Sequence, residues 1–301
     1  ILVVYVGIQT LIGDYYHYRG KVRFNQYKDW AGSEREWKQS VRHMPSKRFE
    51  VYQSLGTALY NQGAWIEAVD AYQESLYYHR NNATVYAYMG KGLVKMGRAE
   101  DGLAPLVQAT TLNSFSADFR LWLGEALVQT GRYQKAIATL QEVLQLDSDS
   151  QETYLLLGIG YKHLGDLDGA VDAYQKGLDL HPNDPDLLNN LARVYSERQD
   201  LEAAGPIYAQ LVRDWPNNSD YLSNLGILQL MLGNYEAAYQ TGLKVIQMDP
   251  GHPGGYVVVG QILYASGKVD QARQVYQEGL RQNPGHQELR ALLQALVSTN
   301  G

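Results

Sequence analysis

Between residues 49 and 286 large apolar, small and turn-forming residues alternate in a fixed order, and the order repeats. Gly56, Gly90, Gly124, Gly158, Ala192, Gly226 and Gly260 stand 34 residues apart without a slip. A large apolar residue precedes each of them: Leu55, Met89, Leu123, Leu157, Leu191, Leu225 and Val259. Twelve residues after each lies a second small residue: Ala68, Gly102, Ala136, Ala170, Ala204, Ala238 and Ala272. Four further on come Tyr72, Leu106, Leu140, Tyr174, Tyr208, Gly242 and Tyr276. Turn residues separate the two clusters: Gly63, Gly97, Gly131, Gly165, Gln199, Gly233 and Gly267. The pattern predicts two short amphipathic helices per unit. Small residues let two backbones approach, and large ones a turn away fill the gap that remains. Glycine ends the first helix in a left-handed conformation, and Pro182, Pro216, Pro250 and Pro284 stop the second helix of later units. One hairpin cannot bury its own apolar face, so the units are expected to stack.

This pattern resembles the tetratricopeptide repeat (TPR) family, whose signature is 34 residues long. The resemblance implies an all-α, right-handed superhelical solenoid of helix hairpins. Its seven units would be 49–82, 83–116, 117–150, 151–184, 185–218, 219–252 and 253–286. Residues 287–301, with Leu289, Leu292, Leu293 and Leu296, read as a C-terminal capping helix. Residues 14–48, carrying Trp30, Trp37 and Pro45, read as a degenerate hairpin without the small residues. Residues 1–13 read as a separate apolar arm.

Charge divides the chain unevenly. Residues 1–48 carry nine Lys/Arg against four Asp/Glu, and residues 49–301 carry seventeen against twenty-eight. A basic head on an acidic body suits head-to-tail contacts or a membrane surface. The net charge of −6 argues against nucleic acid as the main partner. The chain has no cysteine, which removes disulfides, thiolate metal sites and cysteine nucleophiles. Other chemistry is sparse. Gly90-Lys91-Gly92 and Gly158-Ile159-Gly160 lie inside expected helices rather than in phosphate-binding turns. The seven histidines show no metal-protease spacing, and acid pairs such as Asp166/Asp168 sit where helices start. No catalytic residue, metal or cofactor is therefore expected. The sequons at Asn82 and Asn217 fall in loops whose Asn and Ser suit helix capping.

The resemblance further implies that the first helix of each unit lines an inner groove, the site for a protein or peptide. Carried over residue by residue, that groove takes Gln53, Thr57, Tyr60, Ala87, Lys91, Val94, Leu121, Glu125, Val128, Leu155, Ile159 and Lys162. It continues through Asn189, Arg193, Ser196, Ser223, Ile227, Leu230, Val257, Gln261 and Tyr264. Asn190 and Asn224 match the asparagine rung with which O-linked N-acetylglucosamine transferases hold a peptide backbone. The paired Lys and Asn of the carboxylate-clamping TPR type are absent apart from Asn189, Asn190 and Arg193.

The arm, Ile1, Leu2, Val3, Val4, Tyr5, Val6, Ile8, Leu11 and Ile12 among its thirteen residues, carries no charge. Burying nine such side chains contributes ~14–27 kcal/mol, and ordering thirteen backbones costs ~13–26 kcal/mol, so the arm needs a surface to receive it. Three origins are open: the end of a membrane helix, a signal-peptide remnant, or an arm docking on another copy of the chain. The stretch Ile12-Gly-Asp-Tyr-Tyr-His-Tyr-Arg-Gly20 resembles the exit from the last membrane helix into TPRs in O-antigen ligase or polymerase-type proteins. That resemblance implies membrane contact through residues 1–13 and an envelope-facing TPR region of a glycan-handling enzyme. The favoured expectation is a non-enzymatic interaction scaffold that binds other copies of itself head to tail, forming filaments. A cytoplasmic peptide-binding adaptor is the further alternative. The expected location is the cell envelope or outside the cell, with the cytoplasm left open.

Overall fold

A computed structural model describes residues 2–43 and 48–298. Among them lie seventeen α-helices, and the fold is all-α. Contacts divide the chain into two compact units, Ile1–Leu164 and Gly165–Gly301.

The first unit holds α1 (Leu2–Tyr27), α2 (Trp30–His43), α3 (Arg48–Asn61), α4 (Trp65–Tyr78), α5 (Ala83–Lys95), α6 (Ala99–Leu112), α7 (Ala117–Gln129), α8 (Tyr133–Leu146) and α9 (Gln151–His163). Each helix packs on the next, and α3, α5, α7 and α9 also touch in succession, so hairpins stack with their first helices side by side. The second unit holds α10 (Leu167–Leu180), α11 (Pro185–Glu197), α12 (Leu201–Asp214), α13 (Ser219–Met231), α14 (Tyr235–Met248), α15 (Pro253–Ala265), α16 (Val269–Gln282) and α17 (Gln287–Ser298). There α11, α13, α15 and α17 touch in the same way.

The small residues do the work expected of them. A Cβ added at Gly56 would lie 2.6 Å from the Tyr72 ring, and one at Gly124 would lie 2.5 Å from Leu140. Ala68, Ala136, Ala170, Ala204, Ala238 and Ala272 are fully buried. Between the two helices of a hairpin the chain turns through a left-handed residue. Six of these are glycines with φ between 72° and 79°; the other two are Lys28 of the first hairpin, with φ 52°, and Gln199, with φ 62°. The loops between hairpins cap the following helix. Asn82, Ser116, Ser150, Asp184, Asn218 and His252 each accept a backbone N–H of the first turn. At the Asn82 sequon the side chain is engaged twice, accepting from Val85 N and donating to Gln53 Oε1 at 2.9 Å.

The N-terminal segment departs from the expected division. The boundary drawn at 13/14 falls inside α1, which runs unbroken from Leu2 to Tyr27. Nor does the first hairpin lack small residues. Gly20 and Gly32 are buried and twelve apart, as Gly56 and Ala68 are, and a Cβ at Gly20 would strike the Trp37 indole. They escaped the 34-residue register because they precede Gly56 and Ala68 by 36 residues. Ser40 Oγ donates to the Gly13 carbonyl at 2.9 Å, and Trp37 Nε1 donates to the His17 carbonyl at 3.3 Å, which ties α2 to the middle of α1. Ile8 and Leu11 stay exposed, Ile12 is partly buried, and Ile1 lies outside the described residues.

Candidate partner-binding faces

In the first unit an aromatic chain crosses the adjoining first helices. Tyr60 on α3 meets Tyr88 on α5 edge to face at 5.4 Å between centroids, and Tyr88 meets Trp122 on α7 at 5.3 Å. The Lys91 ammonium sits 3.9 Å from the centre of the Trp122 ring, close enough for a cation–π contact. One turn along, Lys95 Nζ lies 3.8 Å from Glu125 Oε1, which also accepts from Gln129 Nε2 at 3.2 Å. Leu121 on α7 and Leu155 and Ile159 on α9 are half-buried. Burial pushes the Lys91 ammonium below its ordinary pKa, against the pull of Glu152 and Glu125. Burial likewise raises the Glu125 carboxyl, against Lys95 and Lys91. Both shifts say that loss of water outweighs the opposing charges nearby. A peptide carboxylate or amide laid across Lys91 would regain part of that lost solvation.

The expected lining is not all available here. Ala87 and Val94 are buried at 0% and 4% exposure. Tyr88 and Trp122 take part instead, and the sequence held a signal for them. They lie 34 residues apart and continue the register of Asn190 and Asn224.

In the second unit Asn224 Nδ2 donates to Asn189 Oδ1 at 2.9 Å, joining α13 to α11. Asn190 turns back on its own helix and donates to the Asp186 carbonyl at 2.8 Å. The two residues of the expected rung therefore differ in use, because only Asn224 reaches across to the neighbouring first helix. Arg193, Asn224, Ile227 and Met231 border an open concavity of about 410 Å³ floored by Tyr208. Burial pushes the Tyr208 phenol up to about 12, despite its bond with Ser196. Ile227 and Tyr264 are 37% and 44% exposed.

Leu230 packs on a cluster of Ala238, Val258 and Ile262 and is only partly open. Val257 is a correction. Expected in the groove, it is 4% exposed and belongs to the core with Tyr256, Val259, Leu263 and Leu289. The cause is the close approach of α15 to α13: Gly254 comes so near Ser223 Oγ that a Cβ there would collide with it. Ser223, the equivalent residue of the unit before, is buried by the same approach. Among the described residues no group of three or more His, Cys, Asp or Glu side chains is gathered to hold a metal ion.

Stacked helix hairpins with side-by-side first helices and half-buried polar and aromatic side chains along them define a helical-repeat scaffold. The chain belongs to the tetratricopeptide repeat family. Family models of that description match residues 50–81, 89–151, 163–225 and 229–296. Proteins of this fold bind proteins or peptides, and the coarse role of this chain is protein–protein interaction. No curated protein matches it by sequence.

Solved structures match by fold. A chain of the APC/C hetero-tetramer Cut9–Hcn1 aligns with 94% of this chain at TM-score 0.63 and 16% identity. The present chain spans 58% of the length of that one. A tetratricopeptide repeat protein from Parabacteroides merdae ATCC 43184 aligns over 95% of this chain and 99% of its own, at TM-score 0.57 and 18% identity. YrrB, described as a TPR protein with an unusual peptide-binding site, aligns over 58% of this chain and 89% of its own, at TM-score 0.54 and 18% identity. At such identities the likeness is one of fold.

Proposed function

We propose that this protein is a non-enzymatic scaffold that holds an extended peptide segment of a partner protein across α3, α5, α7 and α9. The observation that carries the reading is the Lys91 ammonium on the Trp122 ring, a cation whose burial has already lowered its pKa. A peptide carboxylate would meet Lys91 and Lys95, and an apolar neighbour would lie on Leu121, Leu155 and Ile159. The bound segment is therefore expected to carry acidic and aliphatic or aromatic residues close together. YrrB, a TPR protein with a peptide-binding site by its own description, gives this reading a parallel in fold.

The experiment is selection from a displayed peptide library on the intact chain, followed by calorimetry with the enriched peptides. Lys91→Ala and Trp122→Ala are each expected to weaken binding by about tenfold, the scale of a lost charge-assisted contact or aromatic anchor. No enrichment, or enriched peptides indifferent to both substitutions, would sink the proposal. The self-assembling form of the scaffold, through the apolar arm of residues 1–13, has less to stand on. Residues 8–12 belong to a formed helix, and the outer face of α17 is polar at Glu288, Arg290 and Gln294.

A further inference from the structure

The first hairpin carries features that the peptide-binding face does not use. Ile8, Leu11, Tyr15 and Tyr18 of α1 are 50%, 70%, 56% and 68% exposed. Spaced three, four and three residues apart, they form one stripe along the helix. Among the described residues α1 packs on α2 through another face, at Gly13, His17 and Gly20.

Beside the stripe, α1 and α2 enclose an open cleft of about 410 Å³ lined by Arg19, Arg23, Arg35, Lys38 and Arg42, with Glu36 as the carboxylate among them. Glu36 is already held by Arg19 at 2.9 Å and by Arg23 at 3.4 Å. Arg19 also ties the cleft to the stripe, because its Nη1 donates to the Tyr15 hydroxyl at 3.2 Å. A second concavity of about 420 Å³ is lined by Tyr18, Val22, Arg19, Arg23 and Asp29, so stripe and cleft share a border.

We propose that the α1/α2 hairpin docks on an anionic phospholipid surface, the α1 stripe lying at the headgroup–acyl boundary and lipid phosphates entering the arginine cleft. Three observations choose this occupant. Along α1 the order is an uncharged apolar stretch to Ile12, tyrosines at 15, 16 and 18, then Arg19, Lys21 and Arg23. Apolar and aromatic side chains on one face, bordered by cationic ones, are what a helix lying along a membrane–water boundary presents. The remainder of the chain is acidic, so an anionic surface attracts this hairpin and repels the rest. A second copy docking stripe to stripe would bring two equally basic hairpins together, with Arg35 and Arg42 of each cleft facing like charge, whereas Arg19, Arg23 and Lys38 already have Glu36, Asp29 and Glu34 beside them. No described helix is long and apolar enough to cross a membrane.

The test floats the intact chain with vesicles of phosphatidylcholine alone and of phosphatidylcholine mixed with phosphatidylglycerol. Binding is expected with the mixed vesicles and not with the neutral ones, and it weakens as salt is raised. Arg35→Glu/Arg42→Glu changes two exposed side chains of α2 and is expected to lower vesicle binding by about tenfold or more. Leu11→Asp is expected to do the same through the stripe. Circular dichroism checks that each variant folds, and Lys38→Glu alone, at a 57% exposed side chain, reads the same charge if the double variant does not. Equal binding to neutral vesicles, no binding at all, or full binding by the charge-reversed variant would overturn the proposal. Release from vesicles by inorganic phosphate would assign the cleft to a soluble anion instead. Lipid-free association that Leu11→Asp abolishes, with no vesicle binding, would give the stripe to a second copy.

Discussion

Gln199 occupies the left-handed turn position that the other six 34-residue units give to glycine, and it adopts φ 62° there while donating its N–H to the Ser196 carbonyl, as Gly63, Gly97, Gly131, Gly233 and Gly267 do to their equivalents. A side chain in that region is strained by about 1 kcal/mol, which the surrounding turn imposes. Gln199→Gly is therefore expected to raise stability by up to about 0.5 kcal/mol in urea unfolding, its lost strain partly offset by a freer unfolded chain. Gly56→Ala should act in the opposite direction for a different reason. Its Cβ meets a buried Tyr72 ring that has no room to move, and overpacking of that kind costs about 1–3 kcal/mol. The buried phenols add a dependence on pH. Burial pushes Tyr60, Tyr208 and Tyr276 up to about 12, above the ordinary value near 10 of the unfolded chain. Their contribution is complete below about pH 10 and disappears as pH climbs towards 12. Tyrosinate absorbance should thus rise together with loss of helical circular dichroism; ionisation of every tyrosine ahead of unfolding would contradict it.

At the scale of the element, side-chain caps are regular on first helices and occasional on second ones, where Asp166 caps α10 and Asp200 caps α12. The first helices from α5 to α15 carry capping side chains, whereas α6, α8, α14 and α16 begin at Arg98, Arg132, Asn234 and Lys268 without a side-chain cap. The left-handed turn itself supplies backbone bonds there, as when Lys268 N donates to the Leu263 carbonyl at 2.9 Å. Asp184 shows what the side-chain cap contributes: its Oδ1 accepts from Leu187 N at 2.7 Å, just before Pro185 opens α11. Asp184→Ala is expected to cost about 1 kcal/mol, read as a lower unfolding midpoint. The first hairpin illustrates the limit of pattern reading. Its small residues obey the twelve-residue spacing, yet two extra positions before α3 hide them from a search in steps of 34.

For the whole molecule, stability in a stacked array is a sum of hairpins and their immediate contacts. Leu289 of α17 is fully buried among Tyr256, Val259 and Tyr276, closing the apolar edge of the last hairpin. Leu289→Ala should cost about 2–4 kcal/mol by leaving a cavity. The damage should stay local. Amide exchange is expected to quicken in α15, α16 and α17 while α3 to α6 keep their protection, and a uniform rise along the chain would refute this picture.

The sequence by itself determined the repeat and the small and large residues packed inside each hairpin. Those depend on local spacing, and 34-residue periodicity writes the spacing out seven times. It did not determine which first-helix side chains remain open to a partner, because that depends on how closely successive first helices approach. Val257 and Ala87 occupy the register of Leu121 and Leu155, yet the first two are in the core and the others are half-open. Nor could spacing place Lys91 on Trp122, or set the exposed stripe of α1 beside a cleft of arginines from α1 and α2. Contacts between side chains distant in sequence carry no periodic signal, and only the packed tertiary structure decides them.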